Sequence, residues 1–190
     1  MKKLLSALLI VSIASSLSFA QSLEDIKYSV KGGINYSSAE KLPASITETQ
    51  AGIGFYGGAS ASYPISDELS VDADILYSMK TIKYTSGATA DLEQKNSAVE
   101  VPVVLNYKAT DDISVFGGGY GSYLLSAEGN AVDNKSSFKT LDYGIILGGS
   151  YTYDAWNFGA SYALGLNNLS GVDTNEVKIN NITGSVSYNF

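Results

Sequence analysis

Ile182-Thr183-Gly184-Ser185-Val186-Ser187-Tyr188-Asn189-Phe190 is the stretch that decides the fold, because it alternates apolar or glycine positions with polar ones and finishes on an aromatic side chain. A two-residue period marks a strand with two unlike faces. Outer-membrane barrels end in this way, the last strand pairing back to the first and the terminal ring entering an interfacial girdle. The expectation is a barrel that closes on its final residue.

Working back from that strand, the same period recurs from Tyr28 onward in segments near 27–37, 51–64, 68–82, 97–109, 112–126, 140–153, 156–166 and 179–190. Long polar connections near 38–50, 83–96, 127–139 and 167–178 alternate with tight turns at Ile65-Ser66-Asp67, Thr110-Asp111 and Asp154-Ala155. The pattern predicts an all-β protein, an eight-stranded antiparallel up-and-down transmembrane β-barrel. An even strand count puts both termini on the short-turn, periplasmic side and four long loops outside the cell.

The contents of the two alternating sets decide which face points where. One set contains Tyr28, Val30, Ile34 and Tyr36, then Ile53, Phe55, Val71, Ile75, Tyr77 and Met79, and continues in kind through the later segments without a charge. The other holds Lys31, Asn35, Ser60, Ser62, Asp72, Asp74, Ser78, Lys80, Glu100, Asn106, Lys108, Asp142, Ser150, Asn157 and Ser161. A soluble lipocalin-like barrel with an apolar lumen has the same period, so bulk must arbitrate. The interior of an eight-stranded barrel is only wide enough for side chains to fill it. Most of the 14 tyrosines fall in the apolar set, and so many rings fit better outside.

Position along the strands agrees. Tyr28, Tyr63, Tyr107, Tyr151, Tyr153, Trp156, Tyr188 and Phe190 fall at short-turn ends and Tyr36 toward a long-loop end, the arrangement expected of an aromatic girdle. From Tyr28 to Tyr36 a strand at about 3.4 Å per residue, tilted ~40°, climbs roughly 20 Å, close to the height of an apolar band.

Inside, Lys31, Asp72, Asp74, Lys80, Glu100, Lys108 and Asp142 are expected to form an ion network, since buried charges are tolerated only when paired. Asp72-Ala73-Asp74 can also be read as a metal-binding carboxylate pair, but the period sets both beside lysines, which favours the network. The inward Tyr56, Phe116 and Tyr120 narrow the lumen further. Pro102 lacks a ladder donor in a barrel without an edge, and a bulge is expected there. Gly52-Ile53-Gly54-Phe55-Tyr56-Gly57 fits the dinucleotide fingerprint, yet it opens a strand with no helix after it, so the required context fails.

At the other end, Lys2 and Lys3, the apolar run Leu4 to Ile13 and the small-residue site Ser18-Phe19-Ala20 predict a cleaved signal peptide over 1–20, with the barrel domain over 21–190. The apolar run is roughly half of the ~20 residues a membrane helix needs. Net charge is −7 with no histidine and no cysteine, and the 12 basic residues are all lysine. Such a chain is a poor nucleic-acid partner, forms no disulfide, and lacks the usual metal ligand and general base. No enzyme activity, cofactor or metal is expected.

Several segments carry a family likeness: Lys31-Gly32-Gly33-Ile34-Asn35-Tyr36-Ser37, Leu76-Tyr77-Ser78-Met79-Lys80, Val101-Pro102-Val103, Asp142-Tyr143-Gly144, Tyr162-Ala163-Leu164-Gly165-Leu166-Asn167-Asn168 and Tyr188-Asn189-Phe190. Together they resemble the small outer-membrane β-barrel domain family that includes PorT-like proteins, over nearly all of the chain after residue 20. The likeness departs at Ser161, where the family commonly has arginine, and at Gly117-Gly118, where it has Gly-Pro. An interior arginine network therefore does not carry over.

The resulting expectation is a non-enzymatic protein of a Gram-negative outer membrane, showing four extracellular loops for structural, adhesive or binding roles. The alternatives are a small porin-like channel and a secretion accessory barrel. Its partners would be outer-membrane lipid, the barrel-assembly machinery through the strand ending in Phe190, and a surface or periplasmic protein of unknown identity. The acids Glu40, Glu48, Asp91, Glu93, Glu128, Asp133, Asp173 and Glu176 are expected on solvated loops, without the spaced oxygen ligands of a calcium site.

Overall fold

A strand apolar on one face and polar on the other needs lipid outside and a polar filling inside, and closing the sheet on itself supplies both. The computed structural model describes residues 25–40, 48–85, 92–129, 132–133, 139–168 and 178–190. The proposed signal segment, the middles of the four long connections, and Asp91, Asp173 and Glu176 lie outside the described residues.

The strands are β1 (Lys27–Glu40), β2 (Glu48–Pro64), β3 (Leu69–Thr85), β4 (Leu92–Lys108), β5 (Ile113–Gly129), the two-residue β6 (Val132–Asp133), β7 (Leu141–Tyr153), β8 (Trp156–Gly165) and β9 (Lys178–Asn189). All but β6 are barrel staves. Each pairs antiparallel with its sequence neighbour, β5 with β7 across the β6 insertion, and β9 returns to β1 through Ser29↔Asn189 to Glu40↔Lys178. The Phe190 N–H donates to Tyr28 O at 3.0 Å, so the last residue does close the barrel.

The outer wall is apolar. Ile75, Tyr77, Val103, Leu105, Val115, Tyr143, Leu147, Phe158, Tyr162 and Ile182 are among its exposed large side chains. The buried apolar side chains are few and mostly small, including Leu76, Ile82, Ala98, Ala127, Ala163 and Ile179. Among the described residues the barrel is thus inverted relative to a water-soluble one. At the short-turn end Ser66 Oγ accepts the Leu69 N–H at 3.1 Å and Thr110 Oγ1 accepts the Ile113 N–H at 3.0 Å. Asp154 turns the third hairpin with φ of 56°, a left-handed conformation that aspartate tolerates better than most residues.

Three expectations need correction. First, β1 to β5 run further toward the long-loop end than the apolar period does, to Glu40, Glu48, Thr85, Leu92 and Gly129. Above the lipid an outward side chain need not be apolar, so Thr81 and Lys95 continue the strands without the alternation that betrays them. Glu40, Glu48, Glu93, Glu128 and Asp133 accordingly fall on strands rather than loops. Second, Pro102 is not a bulge: it pairs with Tyr120, and the β3–β4 register is the same on either side of it, at Ala73↔Val103 and Leu76↔Glu100. Proline only leaves a gap in that ladder, because it removes a donor without adding a residue. The bulges lie between Ala51 and Phe55 in β2 and at Ser97/Ala98 against β5. Third, β6 occupies part of the connection expected to be wholly loop.

Candidate functional site

The lumen gathers the polar side chains. Its short-turn half is a cavity of about 570 Å³, lined from Lys27, Asp111, Asp154 and Phe190 at the mouth to Asn35, Ser78, Lys80 and Tyr120 at its inner end.

The seven residues expected to form one ion network fall into separate clusters. Lys31 Nζ donates to Asp74 Oδ2 at 2.6 Å, and Ser60 donates to the other oxygen of Asp74. Lys80 pairs with Glu100, with side chains 9% and 17% exposed, and its ammonium lies 5.8 Å from the centre of the Tyr120 ring. Asp72 takes neutral donors instead of a lysine, namely Ser62, Ser70 at 2.8 Å and Asn106 at 2.8 Å. Asp142 sits higher, accepting the Tyr143 N–H at 2.8 Å and the Tyr120 hydroxyl at 3.3 Å. Lys108 is exposed at the cavity mouth and makes no ion pair among the described residues. Of the girdle residues, Tyr28, Tyr36, Tyr107, Tyr151, Tyr153, Trp156, Tyr188 and Phe190 are exposed and Tyr63 is half-buried. Trp156, Tyr188 and Phe190 stack edge to face with centroids 5.1 and 5.7 Å apart.

Above the cavity the filling changes from charges to amides and hydroxyls. Ser37 Oγ lies 2.5 Å from Asn181 Oδ1 and 3.2 Å from Asn35 Oδ1, while Asn35 Nδ2 donates to Met79 O at 3.0 Å. Gln94 Nε2 donates to Asn96 Oδ1 at 2.9 Å. Ile82, Gln94, Asn96, Ala127, Ile179 and Asn180 are all buried, with a void of about 30 Å³ beside Lys80 and Asp142 and a second cavity of about 550 Å³ at the β2 bulge, lined by Gly52, Gly54, Met79, Lys80, Thr81 and Lys95 among others. Among the described residues the inward side chains are therefore more deeply buried toward the long loops than toward the short turns.

Sequence reasoning missed Gln94, Asn96 and Asn181, which lie where the apolar period on the opposite face has faded. It also missed how the inward rings are seated. Tyr56, Tyr120 and Phe116 each sit opposite a glycine of the next strand, Gly33, Gly144 and Gly148. A Cβ on those glycines would come within 2.7, 2.6 and 2.4 Å of the facing ring. The signal was present as inward glycines, but pairing each with its ring requires the register.

Chemically this interior can hold water and small polar groups in its lower half. Among the described residues no cluster of ligating side chains suits a metal ion.

Residues 19–171 match a family described as outer membrane protein beta-barrel domain. Among solved structures the fold is similar to Neisserial surface protein A, with 16% identity, 86% of this chain and 97% of that one covered, and a TM-score of 0.58. It is similar to Ail, the attachment invasion locus protein of Yersinia pestis, with 13% identity, 86% and 98% covered, and a TM-score of 0.51. OprG of Pseudomonas aeruginosa gives 11% identity, 86% and 95% covered, and a TM-score of 0.50. At these identities the likeness is one of fold. No curated protein matches the chain.

Proposed function

The chain belongs to the outer membrane protein β-barrel domain family, and from that premise we propose that it is a non-enzymatic integral barrel whose work is done by the long-loop end, displayed outside the cell for adhesion or binding. The observation that carries this reading is the upper lumen, in which, among the described residues, the side chains of Ile82, Gln94, Asn96, Ala127, Ile179 and Asn180 are buried and fill the space a solute would need. With conduction disfavoured, what the barrel offers is a rigid wall holding loops in place. The absence of histidine from the sequence supports a non-enzymatic role, since hydrolase chemistry at neutral pH usually relies on one. Residues 1–20 act as the export signal, and the strand ending in Phe190 presents the chain to the assembly machinery. Ail is described by its own name as an attachment invasion locus protein, and a role of that kind on the same fold suits a barrel with a filled upper lumen.

The test has two parts. The refolded chain should show strand signal and heat-modifiable gel migration in detergent but not in plain buffer. In planar bilayers it should give no stable conductance steps. A stable β-fold in buffer would reject the membrane reading, and regular single-channel steps would replace display by transport.

A further inference from the structure

The cavity at the short-turn end, about 570 Å³, falls in the size range of small-molecule sites, roughly 300 to 1,000 Å³. Its charges are unevenly matched. Lys31 is committed to Asp74 and Lys80 to Glu100. Lys27 and Lys108 are exposed at the mouth and make no ion pair among the described residues. Asp72, half-buried further in, is left without a cation.

The surroundings of Asp72 are specific. Ser62 and Ser70 both donate to Oδ1, whereas Oδ2 takes a single bond, from Asn106 Nδ2 at 2.8 Å. A carboxylate accepts about four donors, so Oδ2 has room for one more. The bond to Asp72 also fixes the Asn106 amide, because a carboxylate faces its N–H side, and this leaves Asn106 Oδ1 buried without a partner. One corner of the cavity thus holds a negative charge and two acceptors in want of a donor. Register sets apolar surface beside it. Val104 stands directly across from Asp72, and Phe116 directly across from Asn106, both half-buried on the cavity wall.

We propose that this cavity is a binding site for a small organic amine, its ammonium donating to Asp72 Oδ2 and its hydrocarbon body lying along Val104 and Phe116. An ammonium brings three donors, no acceptor and the missing positive charge. A metal ion suits the corner less well, since Ser62, Ser70 and Asn106 turn hydrogens rather than oxygens toward Asp72, and Val104 and Phe116 offer no ligand. Short turns face the periplasm in barrels of this class, so the amine is drawn from there. The inference stands apart from the display reading, which concerns the opposite end.

The probe is cadaverine, titrated into the refolded full barrel in nanodiscs of zwitterionic lipid and followed by amide and methyl NMR shifts. Saturable shifts are expected at Asp72, Val104 and Asn106, with the long-loop ends unmoved. Neither 1,5-pentanediol, of equal chain length without charge, nor glutarate, of equal length and opposite charge, should reproduce them. Asp72→Asn preserves the size of the side chain and should weaken binding by about tenfold or more, since bonds between charged partners are the strong ones. It should keep heat-modifiable migration, because no lysine depends on Asp72. Asp111→Asn removes an exposed carboxylate at the mouth and should change the affinity by less than about twofold. Val104→Lys sets an ammonium of the chain's own across from Asp72 and should abolish binding, which provides a second variant whose folding does not depend on losing the carboxylate. No saturable shift, the same shifts from pentanediol or from sodium chloride, equal weakening by Asp72→Asn and Asp111→Asn, or undiminished binding to Val104→Lys would each overturn the proposal.

Discussion

Replacing Ile75 with lysine tests the inside-outside assignment most directly. Ile75 is 66% exposed on the outer wall, while its neighbours Asp74 and Leu76, pointing inward, are each 6% exposed. It lies in the middle of the apolar part of β3, between Leu69 near the short turn and Met79. A lysine at the bilayer midplane of a barrel costs about 2 to 4 kcal/mol, falling to about 0 to 1 near the interface. Tyr28→Lys, at the girdle, is the matched substitution at the interface. Ser150→Lys is the matched substitution in the cavity, where water and the nearby carboxylates should hold its cost within about 1 kcal/mol. With a urea m-value of ~1 to 3 kcal/mol/M, Ile75→Lys should lower the unfolding midpoint in lipid vesicles by about 1 to 2 M relative to either control. Equal losses for Ile75→Lys and Tyr28→Lys would refute a depth-dependent lipid face. A Ser150→Lys loss as large as that of Ile75→Lys would refute the wet lumen.

Removing Lys80 as Lys80→Met should destabilise the barrel by about 2 to 4 kcal/mol, because Glu100 is left nearly buried without its cation. The double variant with Glu100→Gln should regain most of that loss in the same urea titration. Gly144→Val should cost about 1 to 3 kcal/mol, since a Cβ there meets Leu164 O at 2.1 Å and the Tyr120 ring at 2.6 Å; a neutral result would show that the ring is not seated on that glycine. Trp156, exposed among the girdle rings, should have its fluorescence quenched more by lipids brominated near the headgroup than by lipids brominated at the chain end. The opposite order would place the short-turn girdle at the wrong depth.

The inside and outside of this barrel were legible because lipid imposes a rule on every second residue. A charge on the outer wall is expensive and a crowd of rings inside does not fit, so Tyr28 to Tyr36 or Val101 to Tyr107 declare their face one residue at a time. The same rule gave the strand count, the tight turns, and the inward direction of Lys31, Asp74, Lys80 and Glu100. It also explains where reading failed. Above the membrane the solvent no longer discriminates between faces, and the ends of β2 to β5 and the amides Gln94, Asn96 and Asn181 left no periodic trace.

Register was the other quantity hidden from the sequence. Period two says which face a side chain takes but nothing of what stands opposite. Whether Asp72 meets a lysine or a set of hydroxyls and amides, whether Tyr120 lies on Gly144, and whether β1 stays with β2 all depend on how far strands slide before their backbones pair. That sliding is decided by the closure of the whole sheet, with its tilt and its bulges at Ala51/Phe55 and Ser97/Ala98. Local alternation therefore determined the barrel and its two faces. The partition of the lumen was decided only when all eight staves closed together, because pairing across a sheet is a property of the closed circuit and not of any one strand.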